Sequence, residues 1–364
     1  MFKRSNILQS FFLFLVITLS ASAKSEETLN KQFNKAYYAY QDAVKNNNTD
    51  AQFKYAKEAY ELGVTFYGDT DINTANLALI LAQQHLQNKQ SEQSTPLLMT
   101  TLNIFKSEYG SDAIELAEIY ILLGQSIDKN NKKEKAINYY LEAIEIADEH
   151  TKEHPYFNAE IQLKAGIGLL ERGSRKSKAI LTAQRFFTEN LPSHDVRVVN
   201  ANFYVGKYYA ALKKYNKAIA SWQANLPVFE SLKGATHPLE LSTHAFLIHA
   251  LEKSGNSDAA TKHCIAIGSM TPWNDSQEQK PLFRTQPKYP ISAARRNQDG
   301  WVKIGFKISE SGTVISTKVI DSKGDNTFKK SSLAAIKKWR YAPKFEDGKP
   351  VESYNTVQLD FTIK

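Results

Sequence analysis

This chain has little of what catalysis and covalent reinforcement require. Its 364 residues include one cysteine, Cys264, so no internal disulfide can form. The setting of Cys264, between His263 and Ile265-Ala266-Ile267, reads as a small buried side chain rather than a redox group. Metal-ligand spacing is missing as well. His150 and His154 are four apart, but Pro155 and the turn residues around it argue against a shared helical face, and His244 and His249 are five apart. There is no glycine-rich phosphate loop and no Gly-x-Ser-x-Gly nucleophile motif. Gly166 and Gly168 read as packing glycines inside a helical stretch. No catalytic residue, metal or cofactor is expected, and an enzyme is set aside.

Long apolar runs are absent except at the start. Lys3 and Arg4 precede Ile7 to Leu19, apolar apart from Gln9, Ser10 and Thr18, and Ala21-Ser22-Ala23 follows. A basic segment, a short apolar core and small residues form the pattern of a secretory signal, with the cut expected after Ala23. The apolar core falls short of the roughly 20 residues that span a bilayer as a helix. The expectation is a periplasmic protein, with an uncleaved inner-membrane anchor as the alternative. Export leaves nucleic acid out as a partner.

Net charge is +8, but it is unevenly placed: residues 281–364 hold 16 Lys and Arg against 8 Asp and Glu, and the other 280 residues hold 30 of each. The basic character belongs to the C-terminal part. It is either a solvated surface or a means of steering toward an acidic partner.

A repeat of about 42 residues fills the middle. Tyr67-Gly68 recurs as Tyr109-Gly110, and similar breaks stand at His154-Pro155, Pro192-Ser193-His194 and Gly234 to Pro238. Ala136, Ala179, Ala218 and Ala259 each follow a polar turn, at spacings of 43, 39 and 41, with Ser94 standing 42 before Ala136. Each unit reads as two helices. From Ser111, Ile114, Ala117, Ile119-Tyr120 and Leu123-Gly124 recur at helical spacing, and after a turn Ala136-Ile137, Tyr140, Ala143-Ile144 and Ala147 share one face. These residues resemble tetratricopeptide repeats, of the long kind found in kinesin light chains, in five or six pairs over about 27–268. Such arrays stack to form a core and leave a concave surface for proteins or peptides. Most of the Tyr and Phe residues are expected to be packing between helices.

The last eighty residues differ. Thr271 to Thr285 is polar with Pro272 and Pro281 and reads as a linker. Gln286-Pro287-Lys288-Tyr289-Pro290 follows, then a short helix within Ile291–Asn297. Val302, Ile304, Phe306 and Ile308 alternate as a half-buried strand, and Ile315, Thr317 and Val319 line a second. Asn326 is placed to cap a helix carrying Phe328, Ser332, Ala335-Ile336 and Trp339, which Pro343 stops. After a turn at Asp347-Gly348, Val357, Leu359, Phe361 and Ile363 alternate to the end.

The combination of Tyr289-Pro290, Gly300-Trp301-Val302, Trp339-Arg340-Tyr341-Ala342-Pro343 and a closing alternating strand resembles the C-terminal domain of the TonB energy-transducer family. The expected fold is therefore mainly α: an α-solenoid of tetratricopeptide-like helix pairs, then a small α+β domain. Expected boundaries are a signal at 1–23, repeats at 24–270, a linker at 271–285 and the TonB-type domain at 286–364. The resemblance implies a binding module whose last strand lies at a sheet edge and accepts the box peptide of outer-membrane TonB-dependent receptors. Carried over by position, the partner-binding residues are Gln286, Tyr289, Thr356, Val357, Gln358, Leu359, Asp360, Phe361 and Thr362. Arg340 and Tyr341 fall in a motif read as structural.

Two family features are missing: a long transmembrane anchor that engages motor proteins of the ExbB–ExbD type, and a proline-rich spacer. The repeats are expected to replace the spacer or to dock on an inner-membrane or other envelope protein. The implied role is support of energy-coupled transport across the outer membrane. The alternative is a cell-envelope scaffold that does not transduce energy.

Overall fold

The structure, a computed structural model, describes residues 23–127, 132–232, 236–270 and 280–363. The expected signal, apart from Ala23, and residues 271–279 of the expected linker lie outside them. The chain divides into one unit ending at Leu191 and another running from Pro192 to Lys364.

The first unit contains α1 (Ala23–Lys45), α2 (Thr49–Tyr67), α3 (Ile72–Gln87), α4 (Ser91–Tyr109), α5 (Leu116–Ser126), α6 (Lys133–Glu149), α7 (Pro155–Glu171) and α8 (Ala179–Asn190). Helices pack as the pairs α1/α2, α3/α4, α5/α6 and α7/α8, and each pair also meets the next. The recurring Tyr-Gly has a local cause. It ends α2 and α4, and Gly68 and Gly110 leave those helices at φ of +93° and +96°, a conformation that a Cβ disfavours. The second marker is the fourth residue of the second helix of a pair. Ser94, Ala136, Ala218 and Ala260 hold that place, all fully buried. The repeat spacing puts the last of these at Ala259, one residue early.

Four residues further on comes a side chain that fills the groove of the first helix: Leu98, Tyr140, Trp222 and then Cys264, all buried. Tyr140 fits because Gly124 and Gly168 lie against its ring, where an added Cβ would fall within 2.6 and 2.2 Å. Gly166 meets Ile180 in the same way. Both glycines are packing positions, as their place in a helix suggested. Arg172, 6% exposed, closes the end of α5 by donating from Nη2 to the carbonyls of Gly124 (2.8 Å) and Ile127 (2.9 Å). One expected boundary moves. Ser111 and Asp112 lie in a turn and α5 begins at Leu116, because successive turns, Leu116 to Ala113 and Ala117 to Ile114, precede the regular helix.

The second unit begins with α9 (Val196–Ala211), α10 (Tyr215–Gln223), α11 (Leu226–Glu230), α12 (Pro238–Lys253) and α13 (Ser257–Gly268). It continues as β1 (Pro281–Phe283), α14 (Ile291–Ala294), β2 (Gly300–Ile308), β3 (Val314–Lys323), α15 (Asn326–Ile336), β4 (Arg340–Tyr341), β5 (Lys344–Glu346), β6 (Lys349–Val351) and β7 (Ser353–Phe361). The main sheet is antiparallel with order β3-β2-β7. Its inner face carries Val302, Ile304, Phe306, Leu359 and Phe361, which pack with Phe328, Ile336 and Trp339 in one core. Phe328 stacks on Phe361 with ring centres 4.4 Å apart. Asp325, not Asn326, caps α15 by accepting the Thr327 N–H, since a carboxylate favours the positive helix end. That helix stops at Ile336, so Trp339 is buried just beyond it and Pro343 has no part in ending it.

Two measurements check these packing assignments. Gly168→Ala should gain about 1 kcal/mol of helix propensity but lose about 1–3 kcal/mol by overpacking against Tyr140. Chemical denaturation should show net loss of stability; a gain would mean that Tyr140 moves freely. The second concerns His263, 2% exposed, whose Nδ1 lies 3.0 Å from Nδ1 of His244. One ring must donate and the other accept. Burial, then the neighbouring His244, push His263 down to about 4 from an ordinary 6.5. The folded value is the lower one, so the unfolded chain takes up more protons on acidification. This stabilisation is complete above pH 6.5 and is lost as pH falls toward 4. The Tm of the second unit should fall through that window, and His263→Leu should flatten the fall; parallel profiles would contradict the assignment.

Candidate functional site

The three-stranded sheet has two outer strands, and they differ. β3 is irregular: its pairing with β2 shifts register twice, Ser316 sits at φ +51°, and Thr313 bridges to Arg340. β7 pairs with β2 over nine residues without a shift, from Gly300↔Phe361 to Ile308↔Ser353. Among the described residues no strand pairs with its other flank.

Two hydrogen bonds show which backbone groups face that open flank. The Ile363 N–H donates to Asp299 Oδ1 (3.0 Å), at the β2 side. The Thr356 N–H donates to Asn355 Oδ1 (2.6 Å) instead of to β2. Backbone direction alternates along a strand, so odd-numbered residues of β7 bond to β2. The peptide groups of Tyr354, Thr356, Gln358 and Asp360 point outward. An edge of this kind is a template for a further strand.

The expected site residues separate accordingly. Val357, Leu359 and Phe361 turn their side chains into the core, while Thr356, Gln358 and Asp360 are exposed on the outer face. Gln358 Nε2 donates to Asp360 Oδ1 at 2.8 Å. Thr362 lies just past the strand and is exposed. Tyr289 packs edge-on against Phe361 and Phe328, at 5.8 and 5.6 Å, and its hydroxyl donates to the Gln298 carbonyl. It therefore supports the end of β7. Gln286 is exposed on the segment between β1 and α14.

Sequence reasoning missed Ser353 to Asn355, the first third of β7. Tyr354 is 65% exposed and lies across Gly305, where a Cβ would fall 2.0 Å from its hydroxyl. The alternation Tyr354, Thr356, Gln358 carried this signal. Lys303, Lys307 and Lys318 are exposed around it, with Lys307 paired to Glu352 at 3.0 Å.

The end of the expected linker is structured. β1, inside 271–285, pairs with β4, and Trp339 Nε1 donates to the Thr285 carbonyl at 2.8 Å. Phe283 packs edge-on to His249 of α12. Phe283 and Ala342 join a core with Trp222, Leu247, Leu251, Cys264 and Ile267. Arg340 forms an ion pair with Glu252 of α12, the two side chains 12% and 7% exposed. Arg340 thus ties its motif to the last helix pair, and the sheet module shares a core with α9–α13. Cys264 explains part of this fit: an added Cβ on Gly312 would lie only 3.1 Å from the Cys264 Cβ. Burial pushes its thiol up to about 12, which leaves it unreactive.

No group of three or more His, Cys, Asp or Glu among the described residues could hold a metal, and no described helix is long and apolar enough to cross a membrane. Comparison with known proteins agrees with the geometry. The family model described as Gram-negative bacterial TonB protein C-terminal matches residues 285–363, and the tetratricopeptide repeat model matches 71–149. Protein TonB of Pseudomonas aeruginosa is 34% identical over 91 residues, 25% of this chain and 26% of that protein. Protein TonB of Escherichia coli is 34% identical over 71 residues, 20% of this chain and 28% of that protein. The solution structure of the Pseudomonas aeruginosa TonB C-terminal domain is 31% identical, covering 24% of this chain and 90% of that domain, with a TM-score of 0.22. The chain spans about a quarter of the length of the curated relatives it matches. It carries a TonB-type C-terminal domain preceded by tetratricopeptide repeats.

The shared core makes a prediction. Cys264→Leu supplies the side chain found at Leu98 but overfills the space against Gly312, at about 1–3 kcal/mol. Hydrogen exchange should quicken in β1 and β4 while α3/α4 stay unchanged. Unchanged exchange in β1 and β4 would mean that the contact is not tight.

Proposed function

We propose that this protein binds a short extended segment of outer-membrane TonB-dependent receptors by strand addition to β7, and supports energy-coupled transport across the outer membrane. The observation that carries the reading is a regular nine-residue strand that, among the described residues, pairs on one flank only, with outward peptide groups at alternate residues. A peptide laid there gains backbone hydrogen bonds, each worth about 0.5–1.5 kcal/mol net, and recognition through alternate side chains. Contact residues are Thr356, Gln358, Asp360 and Thr362 through side chain and backbone, with Val357, Leu359 and Phe361 holding the strand in place. Tyr289 buttresses its end, and Gln286 is the remaining candidate contact. The role is binding rather than catalysis. The net basic charge of 281–364 favours an approaching acidic segment.

In this proposal the protein works in the periplasm after cleavage near Ala23, and the helix pairs bind an inner-membrane motor of the ExbB–ExbD type or another envelope protein. A second reading, a scaffold that does not transduce energy, is favoured by one observation. The C-terminal module is held against α12 and α13 by β1, Phe283 and Arg340.

Titration of the full chain with receptor box peptides tests the proposal. Wild type should bind, and Gln358→Pro, which removes an outward donor from an edge strand where proline is tolerated, should weaken binding about tenfold. Leu359→Pro is the contrast: it removes a donor facing β2 and should unfold the sheet. Absence of binding by wild type, or equal binding by wild type and Gln358→Pro, would contradict strand addition at β7.

A further inference from the structure

The open flank of β7 is not fully open. Of its outward N–H groups, that of Thr356 is already used by the Asn355 side-chain oxygen, at 2.6 Å. β3, the opposite outer strand, repeats the arrangement: the Ser322 N–H donates to Asp321 Oδ1 at 2.7 Å. On each outer strand an Asx residue closes the next amide against solvent and against another strand. Edge strands unprotected in this way pair with each other and aggregate.

The two closures differ in chemistry. On β3 the acceptor is a carboxylate, and a charge-assisted bond is roughly twice as strong as a neutral one. The same strand is broken by two register shifts, and Thr313, just before it, bridges to Arg340. On β7 the acceptor is a neutral amide and the strand is regular. An incoming peptide carbonyl that replaces the Asn355 oxygen breaks only a neutral bond and forms another. Displacing Asp321 would exchange a stronger bond for a weaker one.

Resting on the strand-addition reading, we infer that Asn355 is a displaceable latch. It closes the Thr356 amide in the free protein, is released when a peptide adds to β7, and sets how readily that edge is used in preference to β3. The latched amide belongs to Thr356, the fourth of the nine strand residues, between the outward groups of Tyr354 and Gln358. A peptide too short to reach Thr356 would leave it closed.

Two substitutions move the latch in opposite directions. Asn355→Val removes the acceptor and keeps strand propensity. Asn355→Asp keeps the acceptor and strengthens it. The full chain, titrated with an uncharged strand-forming box peptide in high salt to screen the added charge, should bind about 3–10-fold more tightly as Asn355→Val. It should bind more weakly, by a similar factor, as Asn355→Asp. Without peptide, the Thr356 amide should exchange faster in Asn355→Val than in wild type.

If wild type binds but both variants bind equally well, the latch is wrong and strand addition stands. If wild type binds, Asn355→Val binds more tightly and Asn355→Asp more weakly, both stand. If no variant binds but Thr356 exchange still differs as stated, the amide closure stands and its place in peptide binding falls with the strand-addition reading. Identical exchange in wild type and Asn355→Val overturns the latch whatever the peptide does.

Discussion

A strand that, among the described residues, pairs with a neighbouring strand on one flank only is the constraint from which the rest of the second unit follows. β7 can remain so only if its inner face is held firmly, and Leu359 and Phe361 do this by packing on Phe328, Ile336 and Trp339. Full burial of such side chains is worth about 1.5–3 kcal/mol each, more than one edge strand gains from its unpaired flank. The outer face is then free to carry Thr356, Gln358 and Asp360, whose peptide groups face away from β2. Core and edge are alternate residues of one strand, so neither can shift register without disrupting the other.

The module is also built into the helices before it. Arg340 stands next to Tyr341, which belongs to the sheet core, and its own side chain crosses to Glu252 of α12. A buried pair of this kind contributes modestly when intact, but removal of either partner costs about 3–5 kcal/mol. β1 adds backbone bonds, and Phe283 and Ala342 extend the apolar core of the last helix pairs.

Much of this was legible in the sequence where a residue pattern had a single physical cause. Val357, Leu359 and Phe361 alternate because one face of β7 is buried. Tyr-Gly at 67–68 and 109–110 recurs because a helix must end the same way in each unit. What escaped had causes distant in sequence. β1 lies in a polar, proline-containing stretch, and only Arg340 and Tyr341, more than fifty residues on, make it a strand. Ser353 to Asn355 carry their one large side chain, Tyr354, on the solvent face, so β7 read from its apolar face starts three residues late. Boundaries also slipped locally: Asp325 outcompetes Asn326 as a cap, and the buried small residue of α13 is Ala260 rather than Ala259. The expected N-terminal signal, apart from Ala23, and residues 271–279 fall outside the described residues.

The central claim is that β7 receives a foreign strand on its bare flank. Residue-by-residue amide exchange, with and without a bound box peptide, tests it most directly. The account predicts that the Tyr354, Gln358 and Asp360 amides exchange quickly in the free protein and slow on binding, while the Val357, Leu359 and Phe361 amides are protected throughout. Peptide-dependent protection that falls elsewhere in the chain, or equally on odd and even residues of β7, would contradict it.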